Sequence, residues 1–185
     1  MKKIIALALA LTLCLSLFAG CSKKDDSSSP DQGSSTPNTV SGSEEASDYD
    51  VAKMLATIEE AAPVRMSTVV DDEYMTFVGL DKTLYKSYAG SYCPVTPGVD
   101  VILIVEAQEG KVSEVETILT QKRDDIFKAN ENYVGALKDK AGAGRIKTKG
   151  NIVVLVIGGD ETVVTDQGVE KAYEPMDKAI DEAFK

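Results

Sequence analysis

The chain contains no histidine and no tryptophan. Without histidine there is no Ser-His-Asp or Cys-His nucleophile, no imidazole general base and no imidazole metal ligand. Cysteine is nearly absent too, with Cys14, Cys21 and Cys93 the only three. Cys14 falls in a segment expected to be removed and Cys21 in one expected to be lipidated. Cys93 is then alone, which excludes an intrachain disulfide in the mature protein, so the fold has to rest on its core. Its neighbours Tyr92 and Pro94 supply no positive charge to activate the thiol, and we read Cys93 as structural. Cations are in short supply: 20 Lys and Arg face 30 Asp and Glu, for a net charge of −10. Such a chain is repelled by phosphate polymers, so nucleic acid is excluded as a partner. Asp71-Asp72-Glu73 lack the spacing and the turn glycine of a calcium loop. Ala141-Gly142-Ala143-Gly144 lacks the strand and the Gly-Lys-Ser/Thr of a phosphate loop and reads as a helix stop. No carboxylate pair stands out either. The composition implies no metal and no cofactor, and a domain that is not an enzyme.

What is present is organised around Leu17-Phe18-Ala19-Gly20-Cys21, which closes an apolar run and opens a polar one. Lys2 and Lys3 precede 14 residues, Ile4 to Leu17, interrupted only by Thr12 and Ser16. That run is short of the about 20 apolar residues a spanning helix needs, and it has the grammar of a secretory signal. Its end resembles a lipobox, the recognition site of bacterial lipoprotein processing. The resemblance implies a diacylglyceryl group on the Cys21 sulfur and cleavage before that residue. Residues 1–20 are then a signal peptide, and their loss takes Lys2 and Lys3 but no acid, moving the charge from −10 to −12. Two acyl chains hold a protein on a bilayer where one does not, and Lys23 and Lys24 add attraction to an anionic leaflet. The expected location is the extracytoplasmic face of the cell membrane. Residues 21–47 carry the lipidated Cys21 and a tether of Ser, Asp, Gly, Pro, Thr, Asn and Gln, with Val40 its one large aliphatic. This composition cannot offset the entropy of ordering and is expected to stay disordered, with a span of about 30 Å.

Residues 48–185 have the length of one domain. Asp50 is placed to cap a helix carrying Val51, Met54, Leu55 and Ile58, ended by Pro63. A short helix and turn follow at Asp71 to Leu80. Leu84 to Tyr92 reads as a weak strand and Val99 to Ala107 as a strong inner one, covered mainly on one side. Ser113 and Glu116 have capping-box spacing at the start of a long helix. Its stripe is Val115, Ile118, Leu119, Ile126 and Phe127. A second helical piece runs to Lys140. Arg145 to Thr148 and Ile152 to Ile157 form a hairpin turned at Gly150-Asn151. The last helix runs from Val169 to Phe184, with Pro175 expected to kink or restart it. The fold class is α+β: one antiparallel sheet of about four strands with helices packed on it, in the order α-β-β-α-α-β-β-α.

Several of these segments together resemble a bacterial family, the DUF4358 domain. They are the strand Val101-Ile102-Leu103-Ile104-Val105, the sequence Gln121-Lys122-Arg123 followed by Phe127 and Tyr133, and Lys149-Gly150-Asn151 leading into Ile152-Val153-Val154-Leu155-Val156-Ile157. The resemblance covers about Val51 to Asp160. Where the family has a proline shortly after this tyrosine, the chain has Val134-Gly135. It implies a secreted, lipid-anchored domain of clostridia-like Gram-positive bacteria, and it brings no activity with it.

Two groups are candidates for binding. Tyr85, Tyr88 and Tyr92 lie among small residues and could stack on a sugar or grip a peptide, although such rings more often serve the core. Arg145, Lys147 and Lys149 share one side of a strand and could meet an anionic envelope polymer or lipid phosphate; equally, they could guard a sheet edge. Arg123, beside Asp124 and Asp125, suits an ion pair. The expected function is a membrane-anchored, non-catalytic binding domain, held on the bilayer through Cys21, whose partner is an envelope polymer or a membrane protein. The alternatives are a carboxylate-dependent envelope hydrolase and an accessory subunit of a membrane protein assembly. A deep pocket lined by carboxylates would favour the hydrolase.

Overall fold

The computed structural model describes residues 49–185. Leu17 to Cys21 and the tether lie outside the described residues. The order of elements follows the apolar periodicity of the sequence. Helix α1 (Val51–Ala61) buries Met54 and Ile58, and the Asp50 carboxylate caps it by accepting from the amides of Ala52 and Lys53 at 3.0 and 3.1 Å. Strand β1 (Thr68–Val69) and helix α2 (Asp72–Val78) come next, then β2 (Tyr85–Tyr92) and β3 (Val101–Ala107). Helices α3 (Val112–Asn130) and α4 (Ala136–Gly142) precede the hairpin β4 (Arg145–Lys149) and β5 (Ile152–Ile157), and α5 (Glu161–Gln167) and α6 (Val169–Ala183) close the chain. The hairpin turns through Gly150 at φ +59, the left-handed geometry that glycine adopts without cost.

The strands form one antiparallel sheet in the order β1-β2-β3-β5-β4. All residues of β3 and β5 are buried. Val101, Leu103, Val105, Val153, Leu155 and Ile157 pack with α2, α3 and α4, while Ile102, Ile104, Ile152, Val154 and Val156 pack with α1 and α6. The sheet is thus the middle of three layers. Each fully buried aliphatic side chain here contributes about 1.5–3 kcal/mol relative to exposure, which makes these two strands the foundation of the fold.

The α+β class, the single antiparallel sheet and the hairpin at Gly150 are as the sequence indicates. Five strands and six helices stand among the described residues, rather than about four strands in the pattern α-β-β-α-α-β-β-α. The extra strand, β1, is two exposed residues, too short to carry alternation. Helix α5 buries only Val164, so it has no stripe to read. β3, expected to be covered mainly on one side, is covered on both faces, because α1 and α6 close the side that carries Asp100 and Glu106. Helix α3 has no capping box: a turn in which the Lys111 amide donates to Gln108 starts the helix at Val112, and Ser113 is already inside it. Of its stripe, Val115 and Leu119 are buried, whereas Phe127 is 37% exposed. Helix α6 is continuous through Pro175 and does not restart there.

Candidate functional site

The strand ends bring charged residues together at one end of the sheet. There a cleft of about 590 Å³ opens between the end of α1, the start of α5 and the middle of α6. Two of its lining residues are charged and almost fully buried, Lys140 of α4 at 1% exposure and Asp100, just before β3, at 8%. Lys140 Nζ lies 2.5 Å from Asp100 Oδ1 and 3.9 Å from Glu161 Oε1. The Asp100 oxygen is in contact with the ammonium but has no partner in hydrogen-bond alignment. That oxygen is itself buried, so the ammonium is its one close partner. Burying two charges costs several kcal/mol per ion before their attraction is counted, so such a pair is weak evidence of a device for stability.

Surrounding residues fix this pair. The Lys140 carbonyl accepts from the buried Tyr173 hydroxyl at 2.8 Å, and the Gly158 amide donates to the same hydroxyl at 3.3 Å. Desolvation, foremost, drives the Tyr173 phenol well above its usual range, so it stays a neutral donor. Asp160 caps α5, accepting from Thr162 and Val163 at 2.8 and 2.9 Å. The Val163 amide, with Thr162 and the Lys140 charge, holds its carboxyl below the usual carboxylate range. Gly159 lines the cleft at φ +101, where a Cβ would press on the Ala172 methyl at 3.3 Å.

The tyrosines on β2 lie away from this cleft, on the sheet face covered by α2 and α3. Alternation alone would set Tyr85 and Tyr88 on opposite faces. A bulge between Tyr85 and Ser87 inserts one residue, so Tyr85 opposes Ala107, Tyr88 opposes Val105 and Tyr92 opposes Val101. All three therefore share a face. Tyr85 is buried and meets Tyr88 edge-on at 5.4 Å; the Tyr88 hydroxyl donates to Asp72 at 2.9 Å; Tyr92 stacks on Tyr74 at 4.1 Å. These rings are engaged with one another and with α2. Beside them Lys122 lies 4.0 Å from the ring of Phe77, which is 72% exposed.

The cations of β4 do share one side, and that side faces α6. Arg145 Nε and Nη2 hold Asp177 at 3.0 and 3.2 Å, Nη2 also reaches Glu170 at 2.9 Å, and the guanidinium stacks 4.5 Å from the Tyr173 ring centre. Lys147 lies 3.9 Å from Asp181, and Lys149 donates to the Phe184 carbonyl at 2.6 Å. Arg145 and Lys147 thus meet acids of α6 and Lys149 a backbone carbonyl, and through Tyr173 Arg145 supports the Lys140 carbonyl. Arg123 pairs with its neighbour Asp124 at 2.7 Å. Cys93 is a free thiol at intermediate burial, and a Cβ on Gly98 would come within 2.8 Å of its sulfur. No group of acidic or cysteine side chains placed to hold a metal ion occurs among the described residues, and no described helix is long and apolar enough to cross a membrane.

Sequence reasoning used Lys140 only to end a helical piece and did not single out Asp100, Glu161 or Arg65. One signal was available: Leu137, Lys140 and Ala141 fall at helical spacing, so Lys140 occupies a position of the buried stripe.

Neither the curated proteins nor the solved structures contain a match to the chain. A family model, described as the domain of unknown function DUF4358, matches residues 60–158, from the last turn of α1 to the glycine after β5. It includes Asp100, Lys140 and the β2 tyrosines and stops before Glu161 and Tyr173. More than half of the sequence is matched, and the chain belongs to the DUF4358 family.

Proposed function

We propose that the protein is an extracytoplasmic lipoprotein of a clostridia-like Gram-positive bacterium, anchored through diacylglyceryl on Cys21. Its domain binds a small polar ligand in the cleft over Lys140 and Asp100 without chemistry of its own. The anchor rests on the sequence from Lys2 to Cys21. The binding role rests on one observation, the buried Lys140–Asp100 ion pair that borders a cleft of about 590 Å³. Pockets of about 300–1,000 Å³ suit small ligands, and a few fixed polar groups in them set orientation.

The same cleft gives support to a carboxylate-dependent envelope hydrolase, since Asp100, Asp160 and Glu161 all line it. That chemistry needs one carboxyl to carry a proton while another stays charged. Asp100 is against an ammonium and Asp160 is held charged by backbone amides, which leaves only Glu161 for the acid. Binding is therefore the better-supported reading.

Mass spectrometry of the full-length chain from membranes tests both parts. The expected N-terminus is Cys21 bearing two acyl chains; an intact Met1 with unmodified Cys21 would end the lipoprotein reading. Native spectra should show a retained small molecule of discrete mass, lost when Ala62, buried in the cleft lining, is changed to Trp. Release of sugars or peptides from purified walls, abolished by Glu161→Gln, would put the hydrolase first.

A further inference from the structure

The charges of the cleft do not favour one sign. Arg65, Lys140 and Lys171 face Asp100, Asp160 and Glu161. Most of these groups are committed within the protein: Lys140 to Asp100, Lys171 to Glu174 at 2.7 Å, and Asp160 to the amides of α5. Two remain. The Arg65 guanidinium has no carboxylate within ion-pair distance among the described residues, and its one hydrogen bond runs to the Pro97 carbonyl at a long 3.4 Å. The Glu161 carboxylate, 44% exposed at its side chain, has only the Lys140 ammonium at 3.9 Å. A simple anion would be drawn by Arg65 and repelled by Asp100, Asp160 and Glu161. A simple amine would meet the reverse. Only a ligand with both charges satisfies both sets.

We infer that the cleft takes a small zwitterion, its carboxylate on Arg65 and its ammonium on Glu161. Pro63, Ala172 and Pro175 offer a small apolar wall for the body of the ligand. The size matches a free amino acid or a short peptide with both termini free. This inference rests on reading the cleft as a binding site, and it adds the class of ligand.

The test is isothermal titration of the full-length chain, purified in detergent, with alanine, alanyl-alanine, N-acetylalanine, alaninamide and sodium acetate. Arg65 is exposed and the Glu161 side chain is 44% exposed, so Arg65→Ala and Glu161→Gln should leave the melting temperature in place. Alanine or alanyl-alanine is expected to bind, the stronger of the two identifying the ligand as free amino acid or peptide. Removing either ligand charge, or Arg65, or the Glu161 charge, should weaken binding about tenfold or more. Binding of N-acetylalanine or acetate as tight as that of alanine, weakened by Arg65→Ala, would keep the cleft and overturn the zwitterion. No binding of any probe while native spectra retain another molecule would do the same. No binding and no retained molecule would overturn both readings.

Discussion

Strand β3 has a buried carboxylate near each end, on the same face of the sheet, and the two are handled in opposite ways. Glu106, at 4% exposure, accepts from the Ser87 hydroxyl at 2.7 Å and the Asn151 amide at 3.0 Å. Its donors are neutral, its site is closed, and it ties β2 to the β4–β5 turn. Asp100, at 8% exposure, meets an ammonium instead and borders open space. The first arrangement is what a fold needs: a polar group satisfied with no charge brought in to answer it. The second brings a second charge out of water and leaves an oxygen unaligned, a cost that hydrophobic residues of the same volume would avoid. Burial alone therefore does not mark a site; burial with an incomplete partner set beside a cavity does.

The largest effect should come from breaking the charged end. Lys140→Met leaves Asp100 buried and uncompensated, and is expected to cost about 3–5 kcal/mol in chemical denaturation. The double variant Lys140→Met with Asp100→Leu should recover most of that loss while ligand binding stays abolished. A single-variant cost below about 1 kcal/mol would show that water already relieves the pair, and the contrast between the two ends would dissolve.

The hydrophobic skeleton was readable because α1 spaces Met54 and Ile58 one turn apart and β5 is apolar at every position, while the acids flanking the apolar run of β3 hid the cover on its second face. The cleft was not, because it joins Arg65, Asp100, Lys140 and Glu161 from four separate segments, and no spacing encodes their meeting. The shared face of Tyr85 and Tyr88 was hidden for a related reason. One bulged residue reverses the alternation, and nothing local in Tyr85-Lys86-Ser87-Tyr88 announces a bulge. The candidate cation row of β4 was read correctly as one-sided, but its acids sit on α6, about thirty residues on, so its neutralisation could not be seen.

A third polar group sharpens the contrast, because it is kept neutral rather than compensated. Desolvation, foremost, pushes the Tyr74 phenol up to about 12, with the neighbouring Tyr92 adding to the shift. An acid with a raised folded value binds more protons folded than unfolded, so its stabilisation is intact below about pH 10 and declines as pH rises towards 12. The loss from this ring should be about 2–3 kcal/mol by the top of that window. Tyr74→Phe should flatten the stability profile by about one proton between pH 10 and 12. An unchanged slope would place the alkaline sensitivity elsewhere, on Tyr88 or Tyr173.

At the neutral end of β3, Glu106→Gln keeps the shape and exchanges one acceptor for a donor that the Ser87 hydroxyl can turn to accept. The expected cost is about 1 kcal/mol, against several for Asp100→Asn, which strands the Lys140 ammonium. Equal costs for the two amides would mean that the ammonium has another way to be satisfied, Glu161 being the nearest candidate.

The smallest effect tests whether charge on β4 serves the fold or a partner. Lys147 is 54% exposed at its side chain and lies 3.9 Å from Asp181, a pair worth little in water. Lys147→Met should change stability by less than about 0.5 kcal/mol, whereas Arg145→Met, which loses Asp177, Glu170 and the Tyr173 ring together, should cost about 1–3 kcal/mol. Pelleting with anionic liposomes should be the same for Lys147→Met and the native chain, because Arg145 and Lys147 face acids of α6. Salt-sensitive pelleting that falls with Lys147→Met would return the β4 cations to the role of an envelope-binding patch. The protein would then carry two binding surfaces, one charged edge for the envelope and one cleft for a small ligand. Unchanged pelleting leaves the lysines as guards of an outer strand, whose unpaired backbone would otherwise add strands from another chain.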